Sequence, residues 1–331
     1  MRASALIGGR SHNCRMSVLP PLILSTEASR LASDRDLRRA HAAGLLHRVA
    51  PGVYVDAAVW RGLSADERYR VLVRAAAHRS DPVALFSHDS AAAMWRLPSI
   101  GPWPTKVHEL TPWRAGGNSR VGIQRHGLGS DPDAAGIDGV RVTSLARTVV
   151  DISCTSPLVR AVAMLDSAQR QPDPREARWA APEVVDREMI LATLDDLRPY
   201  IGARRAETAI RLSSGLSGSA GESFARMQFH ALGYPAPELQ VEFRDSQGFI
   251  GFADFYWPEI DLIVEFDGLS KYGSGRMFQT ELTTEQIVLR EKTREDRLRH
   301  VVRSFARIDW AISVDRRRLA QHVMPHGLVP W

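Results

Sequence analysis

Two stretches of alternating apolar residues, 250–257 and 262–267, form the clearest pattern in the chain. An alternation of period two predicts β-strands, and Pro258 between them predicts a turn because proline lacks the N–H that a strand ladder needs. Both stretches also carry acids, with Asp254 in the first predicted strand and Glu265 in the second. The sequence therefore predicts a hairpin that holds carboxylates among apolar side chains.

Further elements are predicted on both sides of this hairpin. They are a helix at 219–231, a strand at 239–243, a helix at 290–298, a strand at 300–305 and a closing helix that begins at Trp310. The predicted order is helix, three-stranded meander, helix and strand. We therefore expect an α/β (α+β) fold class for this part of the chain.

The N-terminal pattern is different. Residues 25–32 and 34–43 predict two short helices, and residues 45–55 predict a hairpin that turns at Pro51 and Gly52. Two helices followed by a two-stranded wing is the layout of a winged helix, whose second helix enters the DNA major groove. The side chains expected to face the groove or the phosphates are Arg35, Arg38, Arg39, His41 and Arg48. The alternative is that they form a solvated helix face.

Mixed helical and strand patterns fill the middle of the chain. Helices are predicted at 64–77, 87–95, 145–152, 186–197 and 204–213, a strand at 139–143, and loops at 98–117 and 213–219. Pro-bearing residues 169–176 predict a linker. The predicted regions are a disordered or mis-started stretch at 1–20, a winged-helix region at 21–58, a mixed domain at 59–170, a linker with helices at 171–216 and a last domain at 217–331.

The run Ser87, His88 and Asp89 contains the residue types of a nucleophile system. Adjacent side chains seldom face one another, and catalytic triads are assembled by geometry rather than adjacency, so we do not expect one here. Arg147 and Asp151 are four residues apart on a predicted helix, which predicts an ion pair.

Composition narrows the class of protein. The 331 residues are enough for two domains, and 44% hydrophobic with 24% charged residues is ordinary for a globular protein. No apolar run approaches the roughly 20 residues that span a bilayer, so we expect no membrane partner. Cys14 and Cys154 have neither disulfide-framework nor metal-site spacing, which favours a reduced, cytoplasmic protein. The net charge of +5 permits a nucleic-acid partner.

Three carboxylates, Asp254, Glu265 and Asp267, are predicted near the ends of the hairpin strands. Buried carboxylates repel one another unless a cation neutralises them. A hard divalent ion with oxygen ligands is the simplest explanation, and Mg²⁺ or Mn²⁺ is the expected cofactor.

The spacing of Asp254 and Glu265 resembles the metal-binding core of PD-(D/E)XK nucleases, and most closely the Vsr-like endonuclease branch found in bacteria. The resemblance covers about residue 216 to the C-terminus. It implies a restriction-endonuclease-like αβββαβ core that hydrolyses phosphodiester bonds. It assigns Glu222 to the glutamate of the preceding helix, although Glu222 also fits a helix cap. The usual Glu-x-Lys is Glu265-Phe266-Asp267 here, so the lysine must be Lys271 or Lys292, or be absent.

Lys292 follows Val288 and Leu289 by four and three positions, which predicts a place beside the buried stripe of its helix. Lys271 follows the second hairpin strand and could turn back over its carboxylates. The sequence leaves both lysines open.

The N-terminal segment from Gly44 to Tyr54 resembles the winged-helix domain of AbiEi-type antitoxins of type IV toxin–antitoxin systems. The resemblance implies DNA as a partner and a cognate toxin as a further one. Together the two resemblances predict a DNA-binding, metal-dependent endonuclease-like protein in a toxin–antitoxin or phage-defence context. The alternative is a catalytically inactive, DNA-binding regulator or antitoxin.

Overall fold

The computed structural model describes residues 19–28, 34–111, 121–127, 133–171, 183–268 and 284–330. Over these ranges the chain is of the α/β class, as predicted, with helices beside mixed and antiparallel sheets. None of the helices in these ranges combines the length and apolar character of a bilayer span. The chain forms two compact units that divide between Pro82 and Val83. The domain limits drawn from the sequence stay predictions.

The first unit is built from short elements. They are β1 (Ile23–Leu24), α1 (Ser25–Ala28), α2 (Asp34–Ala42), β2 (Leu46–Ala50), β3 (Val53–Asp56), α3 (Ala57–Gly62) and α4 (Ala65–Ala77). Helix α2 and the β2–β3 hairpin lie where the sequence predicts them. Strand β1 adds to the hairpin, giving an antiparallel sheet in the order β1-β3-β2.

A turn and two caps fix this unit locally. Gly52 takes φ +77° between β2 and β3, a left-handed conformation that favours glycine, and its carbonyl accepts a hydrogen bond from the Ser25 backbone N–H. Asp56 caps α3, and Ser64 with Glu67 forms a reciprocal capping box on α4. These contacts set where the helices begin.

The second unit opens with a five-stranded sheet and a helical layer. Its elements are β4 (Leu85–Phe86), α5 (His88–Met94), β5 (Val107–Thr111), β6 (Ile123–Gly127), β7 (Ala134–Ile137), β8 (Val140–Thr143), α6 (Leu145–Thr155), α7 (Leu158–Gln169), α8 (Arg187–Asp196) and α9 (Ala203–Leu212). The strand order is β6-β5-β4-β8-β7, in which β4–β8 and β5–β6 are parallel.

Strand β5 corrects one prediction. The sequence predicts loop over 98–117 because this stretch is rich in proline, glycine and tryptophan, but the segment Val107–Thr111 forms strand β5. In the structure this segment pairs with β4 on one side and β6 on the other, so its backbone groups are satisfied by neighbours distant in sequence. Such pairing leaves little local signal.

The rest of the second unit follows the predicted αβββαβ order. Its elements are α10 (Ala220–Ala231), β9 (Glu238–Asp245), β10 (Gly248–Trp257), β11 (Leu262–Asp267), α12 (Thr284–Val301), β12 (Ser304–Asp309), α13 (Trp310–Ser313), α14 (Arg316–Val323) and a 3-10 turn (Met324–His326). The sheet order is β12-β11-β10-β9, with β11 and β12 parallel and the other pairs antiparallel.

Two apolar clusters cover the two faces of this sheet. On one face, Phe255, Val264 and Phe266 pack with residues of α10 and α14. On the other face, Ile263 and Phe305 pack with Leu298 of α12. Successive residues of β11 thus point to opposite faces, as the alternation predicts.

The last strand lies four residues later than predicted. The sequence predicts a strand at 300–305, but α12 continues to Val301 and β12 begins at Ser304. Leu298 and Val301 pack against the sheet as helical residues, while Ala306 and Ile308 extend the strand. A short apolar run does not distinguish a helix end from a buried strand.

Candidate functional site

The candidate acids Glu222, Asp254 and Glu265 are carried by three elements that meet at the four-stranded sheet. Glu222 lies in the first turn of α10, Asp254 in β10 and Glu265 in β11. Phe255 pairs with Val264, so Asp254 and Glu265 each lie one position beyond this pair on adjacent antiparallel strands. The structure brings these predicted acids together.

Gln240 links two of these acids. Its neighbours Leu239 and Val241 pair with Phe255 and Ala253, which sets Gln240 opposite Asp254. Its Nε2 lies 3.1 Å from Asp254 Oδ1 and 3.3 Å from Glu222 Oε2. Gln240 has φ +51°, a costly conformation for a residue with a side chain. The β9 strand thus contributes a polar bridge that the sequence analysis did not identify.

Asp254 is also fixed by the backbone. Its Oδ2 accepts a hydrogen bond of 2.9 Å from the Phe266 N–H. One carboxylate oxygen therefore contacts β11 and the other contacts the Gln240 amide.

Glu265 is buried, with 5% of its surface exposed, and Arg294 is its main partner. Arg294 Nη2 lies 2.7 Å and 2.8 Å from the two carboxylate oxygens. Burial raises the pKa of Glu265, and the charge of Asp254 raises it further, whereas Arg294 opposes the rise. The positive charge of Arg294 therefore offsets the repulsion between the carboxylates of Glu265 and Asp254.

Arg307 of β12 joins Glu265 and Arg294 in an ionic cluster that also includes Glu291 and Glu295. Its guanidinium lies 3.0 Å from Glu295, 3.2 Å from Glu291 and 3.7 Å from Glu265. Asp267, the third predicted metal ligand, is 40% exposed in its side chain and lies 3.9 Å from Arg307. Asp267 is therefore at the margin of the cluster.

The two lysine candidates differ in what the structure says of them. Lys271 lies outside the described residues. Lys292 is exposed, and Leu289, which was expected to mark its buried stripe, is 65% exposed. The prediction that Lys292 lies beside the buried stripe is wrong, because α12 contacts the sheet through Arg294 and Leu298 instead.

Glu222 fulfils the capping role that the sequence allows, in a modified form. The Ser219 hydroxyl accepts from the Glu222 N–H at 3.2 Å, while the Glu222 carboxylate accepts from the Gly218 N–H at 2.7 Å and from the Ser219 hydroxyl at 2.9 Å. The same carboxylate also contacts Gln240. The capping and site interpretations therefore coexist at one residue.

The predicted DNA-contacting side chains are exposed in the first unit, namely Arg35, Arg38, Arg39, His41 and Arg48. Arg38 lies 2.6 Å from Asp34 and Arg39 lies 3.7 Å from Asp36, so acids of the same helix accompany two of the arginines. His41 contacts the Leu46 carbonyl through Nδ1 at 3.0 Å. The set is accessible to a partner.

Arg294 and Gln240 are the site residues that sequence reasoning missed. Arg294 lies within the predicted basic helix. Because acids stand among the arginines there, the charge pattern does not predict which side chains face the sheet. The ion pair expected between Arg147 and Asp151 is confirmed at 2.9 Å, with both side chains buried.

The run at residue 87 differs from its prediction. Ser87 Oγ and His88 Nδ1 are 2.9 Å apart, so these adjacent side chains do contact. Ser87 is fully buried, which leaves its hydroxyl no access to a substrate.

The second unit contains two sets of possible metal ligands, three histidines and three acids, which differ in how closely their ligand atoms lie together. Among the described residues, a group of three His, Cys, Asp or Glu ligand atoms within 4.8 Å of one another is found only at His88, His108 and His126. The acids Asp254, Glu265 and Asp267 do not form such a group, although carboxylate oxygens suit Mg²⁺ and this ion needs only one or two of them.

Comparison with known proteins gives distant relatives. The chain matches no model of a known protein family. Two curated proteins of Mycobacterium tuberculosis are each 30% identical to it over 133 residues: Uncharacterized protein MT2308 of strain CDC 1551 / Oshkosh and Uncharacterized protein Rv2248 of strain ATCC 25618 / H37Rv. The match covers 40% of this chain and 45% of each relative, so the chain spans under half the length of the relatives it matches.

Proposed function

We propose that this chain is a cytoplasmic DNA-acting protein whose last domain, α10 to α14, is a metal-dependent endonuclease of the PD-(D/E)XK, Vsr-like type. The observation that carries the proposal is the convergence of Asp254 and Glu265 on adjacent strands, with Glu222 joined to Asp254 through Gln240. An apolar sheet gains nothing in stability from neighbouring acids, because each raises the cost of ionising the other.

Asp254 and Glu265 would hold Mg²⁺ or Mn²⁺, with Asp267 and Glu222 nearby. When bound, such an ion lowers the pKa of its water and stabilises charge on the phosphate. Arg294 would serve in place of the missing lysine, since a guanidinium 2.7 Å from Glu265 supplies a fixed positive charge next to the acids. Glu265 would then divide its oxygens between Arg294 and the ion.

The first unit supplies the DNA contacts in this proposal. Arg35 and Arg48 are exposed on α2 and β2, and phosphate contacts by such arginines position a protein on duplex DNA. The resemblance to antitoxin domains makes a cognate toxin a further proposed partner, in a toxin–antitoxin or phage-defence setting.

The second candidate is a catalytically inactive DNA-binding regulator. It is favoured by the contact of Arg294 with both oxygens of Glu265, because a cation of the protein already neutralises that acid. In this case the domain keeps its fold through the ionic cluster and does not cut DNA.

The test is a nicking and cleavage assay on plasmid and single-stranded DNA with Mg²⁺ or Mn²⁺. We expect cutting by the intact chain, loss of cutting in Asp254→Ala, and no loss in the control Glu259→Ala, whose residue lies exposed in the turn after β10. If the chain binds DNA but shows no metal-dependent cutting, the nuclease proposal is wrong and the inactive regulator is supported instead.

A further inference from the structure

Three histidines meet at one end of the five-stranded sheet. His88 is the first residue of α5, His108 lies in β5 and His126 lies in the edge strand β6. His126 Nε2 is 3.1 Å from His108 Nδ1, and the rings of His88 and His126 stack with centroids 3.7 Å apart. One ring nitrogen from each histidine lies within 4.8 Å of the others.

His88 is held in a defined orientation. Its Nδ1 lies 2.9 Å from Ser87 Oγ and 3.7 Å from Asp151 Oδ2, while its Nε2 is buried without a hydrogen-bond partner among the residues that the structure describes. A buried ring nitrogen without a partner is unusual and needs an explanation. Metal-bound histidines typically have one nitrogen fixed by a carboxylate or other polar group while the other binds the ion.

We propose that His88, His108 and His126 bind one divalent transition-metal ion of the zinc type. Three imidazoles suit Zn²⁺, Co²⁺ or Ni²⁺ and leave a coordination position open, whereas Mg²⁺ prefers oxygen ligands. His108 and His126 are only partly buried, which gives an ion a route from solvent. The nearby acids Asp89 and Asp151 offset the charges of Arg160 and Arg147.

The test uses the full chain, stripped with a chelator and titrated with Zn²⁺ by calorimetry, with bound metal counted by mass spectrometry. We expect one equivalent of Zn²⁺ at this site, lost in His126→Gln and retained in the control His230→Ala, whose histidine is exposed on α10. Co²⁺ should give the visible absorption of a tetrahedral site in the intact chain and in the control. Excess Mg²⁺ should not compete.

A second variant keeps the ligands and changes only their support. Ser87→Ala removes the hydroxyl at His88 Nδ1, and loss of such an outer contact should weaken Zn²⁺ affinity about 10-fold. His126 lies in an edge strand, and circular dichroism reports whether His126→Gln is folded. Zn²⁺ binding that is absent from the intact chain, or unchanged in both His126→Gln and Ser87→Ala, would show a hydrogen-bonded stack of imidazoles without a metal. Neither result depends on DNA cleavage.

Discussion

Arg294 is the closest charged partner of the buried acid Glu265. It neutralises Glu265, an acid that is 5% exposed and whose pKa is raised by burial and by Asp254. An acid with a raised folded-state pKa favours folding most fully below its unfolded-state pKa, and this contribution is lost as the pH rises through the folded-state value. Arg294 limits that loss.

We expect Arg294→Ala to lower the free energy of unfolding by about 3 kcal/mol at pH 7.5, the lower end for a broken buried pair, since the Arg294 side chain is 23% exposed. Removing Arg294 raises the pKa of Glu265 further, because Arg294 lowers it in the intact chain. The loss of stability should therefore be smaller at pH 5, where more of Glu265 is protonated and uncharged. Urea unfolding followed by tryptophan fluorescence at both pH values measures it. Arg244→Ala breaks an exposed pair with Glu242 in the same domain and should cost less than about 1 kcal/mol at either pH.

At the scale of elements, the approach of α10 to β11 sets where Glu222 lies. A Cβ at Gly221 would overlap the ring of Phe266, so only glycine allows this contact. The helix is also tied to α7, since Arg226 lies 2.7 Å from Asp166. The α10 N-terminus therefore has little freedom to shift.

Gly221→Ala should destabilise the chain by about 1–3 kcal/mol through overpacking. The smaller ring-free side chain of Phe266→Leu should restore part of that loss in the double variant. Gly136→Ala is the control, because a Cβ there meets no atom of the described residues within 4 Å. Thermal unfolding of the intact chain, Gly221→Ala, the double variant and Gly136→Ala measures the effect. Equal melting points for Gly221→Ala and Gly136→Ala would contradict the close packing of α10 on β11.

A second element-scale prediction concerns the start of α4. Ser64→Ala removes a cap that accepts from the Glu67 N–H at 3.2 Å and should cost about 1 kcal/mol. Ser64→Asp keeps an acceptor at the same place and should remain close to the original stability in the same denaturation experiment. A loss of equal size in both variants would show that the hydroxyl is not the relevant cap.

For the whole molecule, charge bears on the proposed partner. The net charge of +5 is modest, so DNA affinity should depend on particular exposed arginines rather than on overall attraction. Duplex binding should weaken as salt rises, because phosphate contacts release counterions.

We expect Arg35→Ala and Arg48→Ala each to reduce the slope of log affinity against log salt by about 0.9, the value for one phosphate contact. Arg211→Ala, an exposed arginine of α9 in the second unit, should leave the slope unchanged. Fluorescence anisotropy with labelled duplex DNA at several salt concentrations gives these slopes. An equal effect of all three variants would mean that DNA binding does not depend on the surface of α2 and β2 in particular.

The sequence by itself determined the α/β class, the β9–β11 meander, most helix positions and the presence of acids in two apolar strands. These features are local: alternation, periodicity, caps and proline or glycine turns act over a few residues. The sequence also predicted the Arg147–Asp151 pair, since four residues on a helix fix the distance.

Only the tertiary structure decided which cation meets Glu265 and which polar groups join the acids. Arg294 is 29 residues from Glu265, and Gln240 is 14 from Asp254, so neither contact has a spacing rule. Strand β5 and the histidine cluster depend likewise on segments that meet only after the sheet is assembled. Such contacts follow from register and packing, which bring together residues that local patterns treat separately.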